Sequence, residues 1–330
     1  MELPLKPISE YNEIDLEQLR PKDSYGTLIS KRNHNLDKLL SIHGKIPREY
    51  LSLRNCPNCE KSEYLPELKK DSLDLVKCTS CSTIYVNPIF NEKYYEDTYK
   101  SEEYQQVVSE LGHSSHNYRV ERFGKERVQK ISQFFTDKQN ISLLDVGCST
   151  GFVVEAAREL GWEALGIDLN PAAVDFGKSL GLPLENKRIQ DIENISFDAI
   201  GMFDVLEHVP YPKDILDHAY RLLKPGGIVY IYVPNYNSAS RVLMGADAHF
   251  IWPSHHLTLY TPATLQLQLE NSNFKFEWFE TEGLDMFDYI WYLKNKANNT
   301  GMLDKIADKL QFFINSSGYG KNLRMIGKKI

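Results

Sequence analysis

The chain has 330 residues, 42% hydrophobic and 25% charged, with a formal net charge of −7 and a sequence pI of about 5.8. That length carries one large domain and a small one, and the acidic balance, with Lys and Arg scattered, argues against a nucleic-acid partner. No apolar run approaches the roughly eighteen residues of a membrane helix, and Met1-Glu-Leu-Pro-Leu-Lys lacks a signal-peptide core, so a cytoplasmic protein without a membrane span is expected.

Residues 1–50 are polar, with helical apolar spacing around Ile14 to Leu19 and Leu36 to Ile42 and interruptions at Pro4, Pro7 and Pro21. They read as an extended helical arm, or as a partly disordered leader. Residues 51–90 hold Cys56-Pro-Asn-Cys59 and Cys78-Thr-Ser-Cys81. Two C-x-x-C turns separated by about fifteen to twenty residues each aim two thiolates at one point, which suits a closed, structural Zn²⁺ tetrahedron. Disulfides are the competing reading, and an intracellular chain disfavours them. Tyr64, Leu65, Leu73, Leu75 and Val76 suit short strands between the turns.

Residues 91–140 are rich in Tyr and Glu, then helical, with Tyr118, Arg119, Arg122 and Phe123 on the helix entering the core. Beyond them strand and helix alternate. Strands are expected near 142–146, 163–168, 186–189, 198–203, 227–233, 274–281 and 322–329, and helices near 151–161, 171–180, 212–223 and 261–271. The sum is an α/β, doubly wound, seven-stranded, mostly parallel sheet behind a zinc ribbon. Residues 91–330 form the large domain, and an insertion over 284–319 with helical apolar spacing separates the last two strands. It offers a lid, a homodimer surface or extra core.

Leu143 to Ala157 is the most informative stretch: an apolar strand ending in Asp145, a tight turn Gly147-Cys-Ser-Thr-Gly151, then a helix. Asp168 ends the next apolar strand twenty-one positions after Gly147. In doubly wound folds an acid at about that distance binds ribose hydroxyls. A dinucleotide fingerprint would require glycine at positions 149 and 152, which hold Ser149 and Phe152.

The shorter Gly-x-Ser-x-Gly turn behind Asp145 resembles motif I of the class I S-adenosylmethionine-dependent methyltransferases, and the resemblance covers Ser115 to Ile330. Ser82 to Pro88, ending Tyr-Val-Asn-Pro, resembles bacterial methyltransferases with an N-terminal four-cysteine zinc ribbon, many of them associated with surface-glycan or specialised-metabolite pathways. The resemblance implies S-adenosylmethionine as cofactor and cofactor contacts from Asp145, Gly147, Gly151, Asp168, Leu169, Asp191, Ile192 and Phe203. Asp145 would orient the loop or the amino group, Asp168 the ribose, Leu169 and Asp191 with Ile192 the adenine; Asp191 could instead cap the following turn. Cys148 reads as a packing residue.

The motif Asp204-Val-Leu-Glu-His208 resembles the family's segment after strand four, and Trp252-Pro-Ser-His-His-Leu-Thr-Leu-Tyr260-Thr-Pro resembles its acceptor-side loop. An imidazole can take a hydroxyl proton near neutrality. His256 is the first candidate base, with His255 and His208 after it; a loop histidine bonded to backbone is the plainer reading. The Asp and His residues show no ligand spacing for a metal beyond the ribbon's Zn²⁺. The expected activity is methylation of an oxygen on a small molecule or glycan precursor. RNA methylation with the ribbon gripping RNA, sugar C-methylation, and a catalytically silent cofactor-binding module are the competing readings.

Overall fold

The computed structural model describes Gln18 and residues 34–94, 113–136 and 140–330. The expected arm helix around Ile14 to Leu19, apart from Gln18, and much of the Tyr- and Glu-rich segment lie outside the described residues.

Helix α1 (His34–His43) precedes five short strands: β1 (Leu51–Ser52), β2 (Tyr64–Lys70), β3 (Leu73–Cys78), β4 (Ile84–Val86) and β5 (Ile89–Phe90). Residues 113–119 are helical and pass through a π-helical turn, Val120–Gly124, into α2 (Lys125–Ser132). The large domain then runs β6 (Ser142–Val146), α3 (Phe152–Glu159), β7 (Glu163–Ile167), α4 (Pro171–Ser179), β8 (Leu184–Glu185), β9 (Phe197–Phe203), α5 (Pro212–Leu222) and β10 (Leu223–Pro234). It continues with α6 (Ala239–Met244), β11 (Thr258–Leu259), α7 (Pro262–Asn271), β12 (Phe274–Glu282), α8 (Asp285–Asn295), α9 (Gly301–Ser316) and β13 (Asn322–Lys329).

Seven strands form one sheet in the order β12-β13-β10-β9-β6-β7-β8. All neighbours from β10 to β8 pair in parallel, and β13 runs antiparallel between β10 and β12. Strand β9 is buried at all seven positions, as a parallel strand covered on both faces must be. Two apolar clusters fill the faces, one around Leu144, Ile200, Val229 and Leu265, the other around Leu143, Val153, Ala199 and Tyr230. The strand order reverses between β6 and β9, and ligands of open α/β sheets bind at the carboxyl ends of strands at such a switch point.

Most expected elements stand where the sequence places them. The expected strand at 186–189 does not: β8 stops at Glu185, the Asn186 side chain donates to the Asp168 carbonyl (2.8 Å), and Ile189–Asp191 form a 3₁₀ turn. Polar Asn186, Lys187 and Arg188 have no apolar face to bury there. Strand β10 begins earlier than expected, at Leu223, and shifts register across Lys224 to Gly227. Helix α6 was not expected; Ser238 caps it by accepting from Arg241 N at 3.2 Å.

The four-cysteine segment is not a free-standing module. Its sheet has the order β11-β4-β3-β2, so one strand comes from residues far down the chain. Buried Arg54 ties the two parts, donating to the carbonyls of Val86 (3.2 Å), Pro210 (2.6 Å) and Leu257 (2.5 Å). Asn58 donates to Thr83 Oγ1 (3.0 Å) and the Thr264 carbonyl (2.8 Å). The insertion packs as an extra layer: Met286, Ile290 and Ala307 form its small core. Buried Asp285 accepts from Ser240 N, Lys321 N and Gln311 Nε2 at 2.9, 2.8 and 3.1 Å. Among the described residues no helix is long and apolar enough to cross a membrane.

Candidate active site and metal centre

The turn after β6 is built on left-handed backbone. Gly147 sits at φ +72 and Gly151 at φ +84, a region where a Cβ is strained. A Cβ on Gly147 would also fall 2.5 Å from Val205 Cγ2. Ser149 adopts φ +50, so the serine in the middle place shares the left-handed conformation. Cys148 is buried in the apolar cluster around Leu143 and Val153, and its amide donates to the Ile167 carbonyl at 3.0 Å.

Asp168 binds the turn from the next strand. Its Oδ2 accepts from Ser149 N and its Oδ1 from Asn170 N, both at 2.8 Å. Burial raises its pKa against the pull of those amides. A carboxylate offers about four acceptor sites, so two remain for ligand hydroxyls. Asp145 is buried beside it with Oδ1 lacking a hydrogen-bond partner. Burial pushes its pKa up to about 7, opposed by the Arg127 charge and assisted by that of Asp168.

Asp191 is exposed, caps its own turn by accepting from Arg188 N at 3.1 Å, and pairs with the Arg188 guanidinium. Leu169 is 69% exposed at the mouth, whereas Ile192 is buried. Phe203 is buried at the end of β9, edge-on to Tyr230 with centroids 5.2 Å apart.

Two residues of the pocket wall carried no motif. His116 bridges Thr150 Oγ1 (2.8 Å) and Glu155 Oε2 (2.7 Å), pinning residues 113–119 to the glycine turn. Arg127 is buried with its guanidinium 4.2 Å above the Phe203 ring, and its charge reaches both Asp145 and Asp204. A one-residue positive charge on a helix gives no pattern to read in sequence. Arg324 fixes the neighbouring helix: it donates to Glu126 (2.6 Å), Glu280 (3.0 Å) and Glu282. Burial alone would raise the Glu126 pKa, but Arg324 holds it at about 2.

At the ends of β9 and β10 the cleft floor carries Asp204, Glu207 and His208. Asp204 takes φ +58 and is open to solvent, yet the enclosing protein raises its pKa by desolvation. Glu207 is buried, neither of its carboxylate oxygens has a hydrogen-bond partner, and burial with the Asp204 charge lifts its pKa well above the usual range. His208 Nδ1 donates to the His255 carbonyl at 3.0 Å, and desolvation pushes its pKa down to about 4. The loop before β11 brings in the other imidazoles. His256 Nδ1 donates to the Phe250 carbonyl at 2.6 Å, and its ring lies 4.8 Å from that of His208. His255 stacks on Trp252 at 3.7 Å and bonds Ser254 Oγ.

Outside the ribbon the fold also brings together ligand-type side chains that no sequence spacing suggested. Ligand atoms of Glu207, His208 and His256 all lie within 4.8 Å of one another. Sequence spacing could not reveal this, since some fifty residues separate His208 from His256 and only the fold joins them.

In the N-terminal segment the thiols of Cys56, Cys59, Cys78 and Cys81 converge within 4.8 Å. Sγ separations of 3.5 Å for Cys56–Cys81 and Cys59–Cys78 are far from a disulfide bond length of about 2.05 Å. They suit four thiolates about 2.3 Å from one Zn²⁺, which stand about 3.8 Å apart. The two knuckles repeat one geometry: Cys56 N bonds the Lys61 carbonyl and Cys78 N the Thr83 carbonyl, each at 2.9 Å.

A family model described as a methyltransferase domain matches residues 116–277. The chain is 32% identical over 156 residues to the ubiquinone biosynthesis O-methyltransferase of Xanthomonas oryzae pv. oryzae, covering 43% of this chain and 65% of that protein. It is 36% identical over 118 residues to the protein of the same name from Xylella fastidiosa, covering 33% and 48%. The chain thus spans less than two thirds of the length of these curated relatives. Among solved structures, a SAM-dependent methyltransferase from Archaeoglobus fulgidus aligns with TM-score 0.44 and 20% identity over 62% of this chain and 92% of that one. Residues 116–277 thus match a methyltransferase domain, and the Rossmann-like, seven-stranded sheet that contains them runs from Ser142 to Lys329.

Proposed function

We propose that the protein is an S-adenosylmethionine-dependent methyltransferase that methylates a hydroxyl oxygen of a small molecule, with sugars of glycan precursors as the first class to test. The observation that carries the reading is the buried, partnerless Oδ1 of Asp145 beside the glycine turn and Asp168. A buried acceptor without a donor is costly, and the ammonium of the methyl donor supplies one. Asp168 takes the ribose hydroxyls with its remaining acceptor sites, Leu169 and Ile192 flank the adenine, and Phe203 walls the methionine end. Asp191 reaches the adenine amine only if it exchanges its Arg188 partner. When bound, S-adenosylmethionine supplies a methyl group on a good leaving group. The chain's own part is to hold the acceptor oxygen in line and accept its proton. His256 and His208 serve that step, with His255 positioning His208 through its carbonyl.

Zn²⁺ on the four cysteines is part of the same reading, in a structural role: its sheet shares β11 with the histidine loop. The relatives' names support small-molecule O-methylation. Calorimetry with S-adenosylmethionine tests the reading. Micromolar binding that Asp168→Ala weakens at least tenfold is expected, and no binding by the unaltered protein refutes it. Transfer of label from S-adenosylmethionine to a panel of nucleotide sugars and phenols then identifies the acceptor.

A further inference from the structure

The cleft floor contains a ligand set that methyl transfer as such does not require. Glu207 and His208 sit on the 3₁₀ turn Leu206–His208 directly after β9, and His256 reaches them from the loop before β11. Glu207 is 1% exposed and neither of its oxygens has a partner. A carboxylate buried in that way demands a cation or a donor. The two imidazoles are already oriented. Each donates Nδ1–H to a backbone carbonyl, His208 to His255 and His256 to Phe250, which makes Nε2 the lone-pair nitrogen of each ring. His208 Nε2 stands 3.8 Å from Glu207 Oε1. A cation held at about 2.1 Å by each ligand needs ligand separations of about 3.0–3.5 Å, so small side-chain rotations close the site from its 4.8 Å span.

We propose that Glu207, His208 and His256 bind one divalent transition-metal cation, distinct from the ribbon's, and that this cation presents open positions to an acceptor bearing a hydroxyl beside a second oxygen. Two imidazoles and one carboxylate form a facial set suited to Mn²⁺, Fe²⁺ or Zn²⁺ with coordination sites left over. A bound hydroxyl is acidified by the cation. With the cation bound, the Nε2 lone pairs are occupied as ligands, so His256 and His208 act through the cation rather than as bases, and the O–H bond breaks with the proton passing to solvent water. The new O–CH₃ bond then forms as the donor's C–S bond breaks, the electron pair staying on sulfur. The acceptor's part of the proposal rests on the methyl-transfer reading; the cation site itself does not.

Mn²⁺ is the probe, because the thiolate ribbon, filled first with Zn²⁺, does not compete for this harder cation. Electron paramagnetic resonance of free Mn²⁺ is followed as it is titrated into protein carrying one equivalent of Zn²⁺ per chain, which the four thiolates take. The expected result is about one Mn²⁺ bound per chain, with affinity falling at least tenfold in both Glu207→Gln and His256→Ala. No bound Mn²⁺, or binding that both variants retain, overturns the proposal. Should His256→Ala fail to fold by near-ultraviolet circular dichroism, Glu207→Gln, which keeps the side-chain shape, decides alone. Calorimetry with S-adenosylmethionine on the same samples separates the two readings. Mn²⁺ binding without donor binding leaves the cation site standing and removes the methyl-transfer reading, and donor binding without Mn²⁺ does the reverse.

Discussion

Asp145 gives the sharpest quantitative test of the pocket. Its carboxyl is buried and its pKa stands at about 7 against an ordinary 3.8. A raised acid pKa favours the fold while the group is protonated, so its contribution is fully present below 3.8 and is lost as pH rises to about 7. Linkage over that window makes the cost on the order of 3 kcal/mol larger at pH 8.5 than at pH 5. Asp145→Asn cannot ionise. Urea unfolding of the variant relative to the unaltered protein therefore shifts in the variant's favour by roughly 3 kcal/mol between pH 5 and pH 8.5. Taking the difference cancels the other buried acids, including Asp204, Glu207 and Asp285, which are common to both proteins. A difference independent of pH refutes the argument. The same linkage makes S-adenosylmethionine bind more tightly as pH rises toward 7, with proton release, because an ammonium favours the ionised carboxylate.

Three further outcomes are expected. Gly147→Ala places a Cβ 2.5 Å from Val205 Cγ2 at φ +72; it lowers unfolding free energy by about 1–3 kcal/mol and abolishes donor binding in calorimetry. Zinc removal, by chelation or Cys78→Ser, loosens β4 and with it β11, which lies two residues beyond His256; turnover falls at least tenfold while donor affinity changes less than threefold. Asn58→Ala removes a 2% exposed side chain that donates to Thr83 Oγ1 and the Thr264 carbonyl and accepts from Asn271; chemical unfolding should show a loss of about 2–3 kcal/mol.

The sequence by itself determined most of the strands, the parallel sheet, the glycine turn with its two acids, and the four-cysteine knuckles. Each of these is a local pattern: an apolar run of strand length, a turn demanding left-handed backbone, two thiols on one tight turn. Asp145, Gly147, Gly151 and Asp168 meet because consecutive β-α units deliver them to the carboxyl ends of adjacent strands. Asp191 turned to Arg188, a local i,i+3 contact in which an exposed acid takes the nearest cation. Tertiary structure alone decided two things. The ribbon borrowed β11, because a three-stranded edge beside an unpaired backbone segment completes its hydrogen bonds there. Glu207, His208 and His256 came together only through packing of the β9 turn against the loop before β11, where the Leu257 amide bonds the Glu207 carbonyl at 2.7 Å. Contacts between segments so distant in the chain leave no periodicity or spacing behind, so they become legible only once the chain has folded.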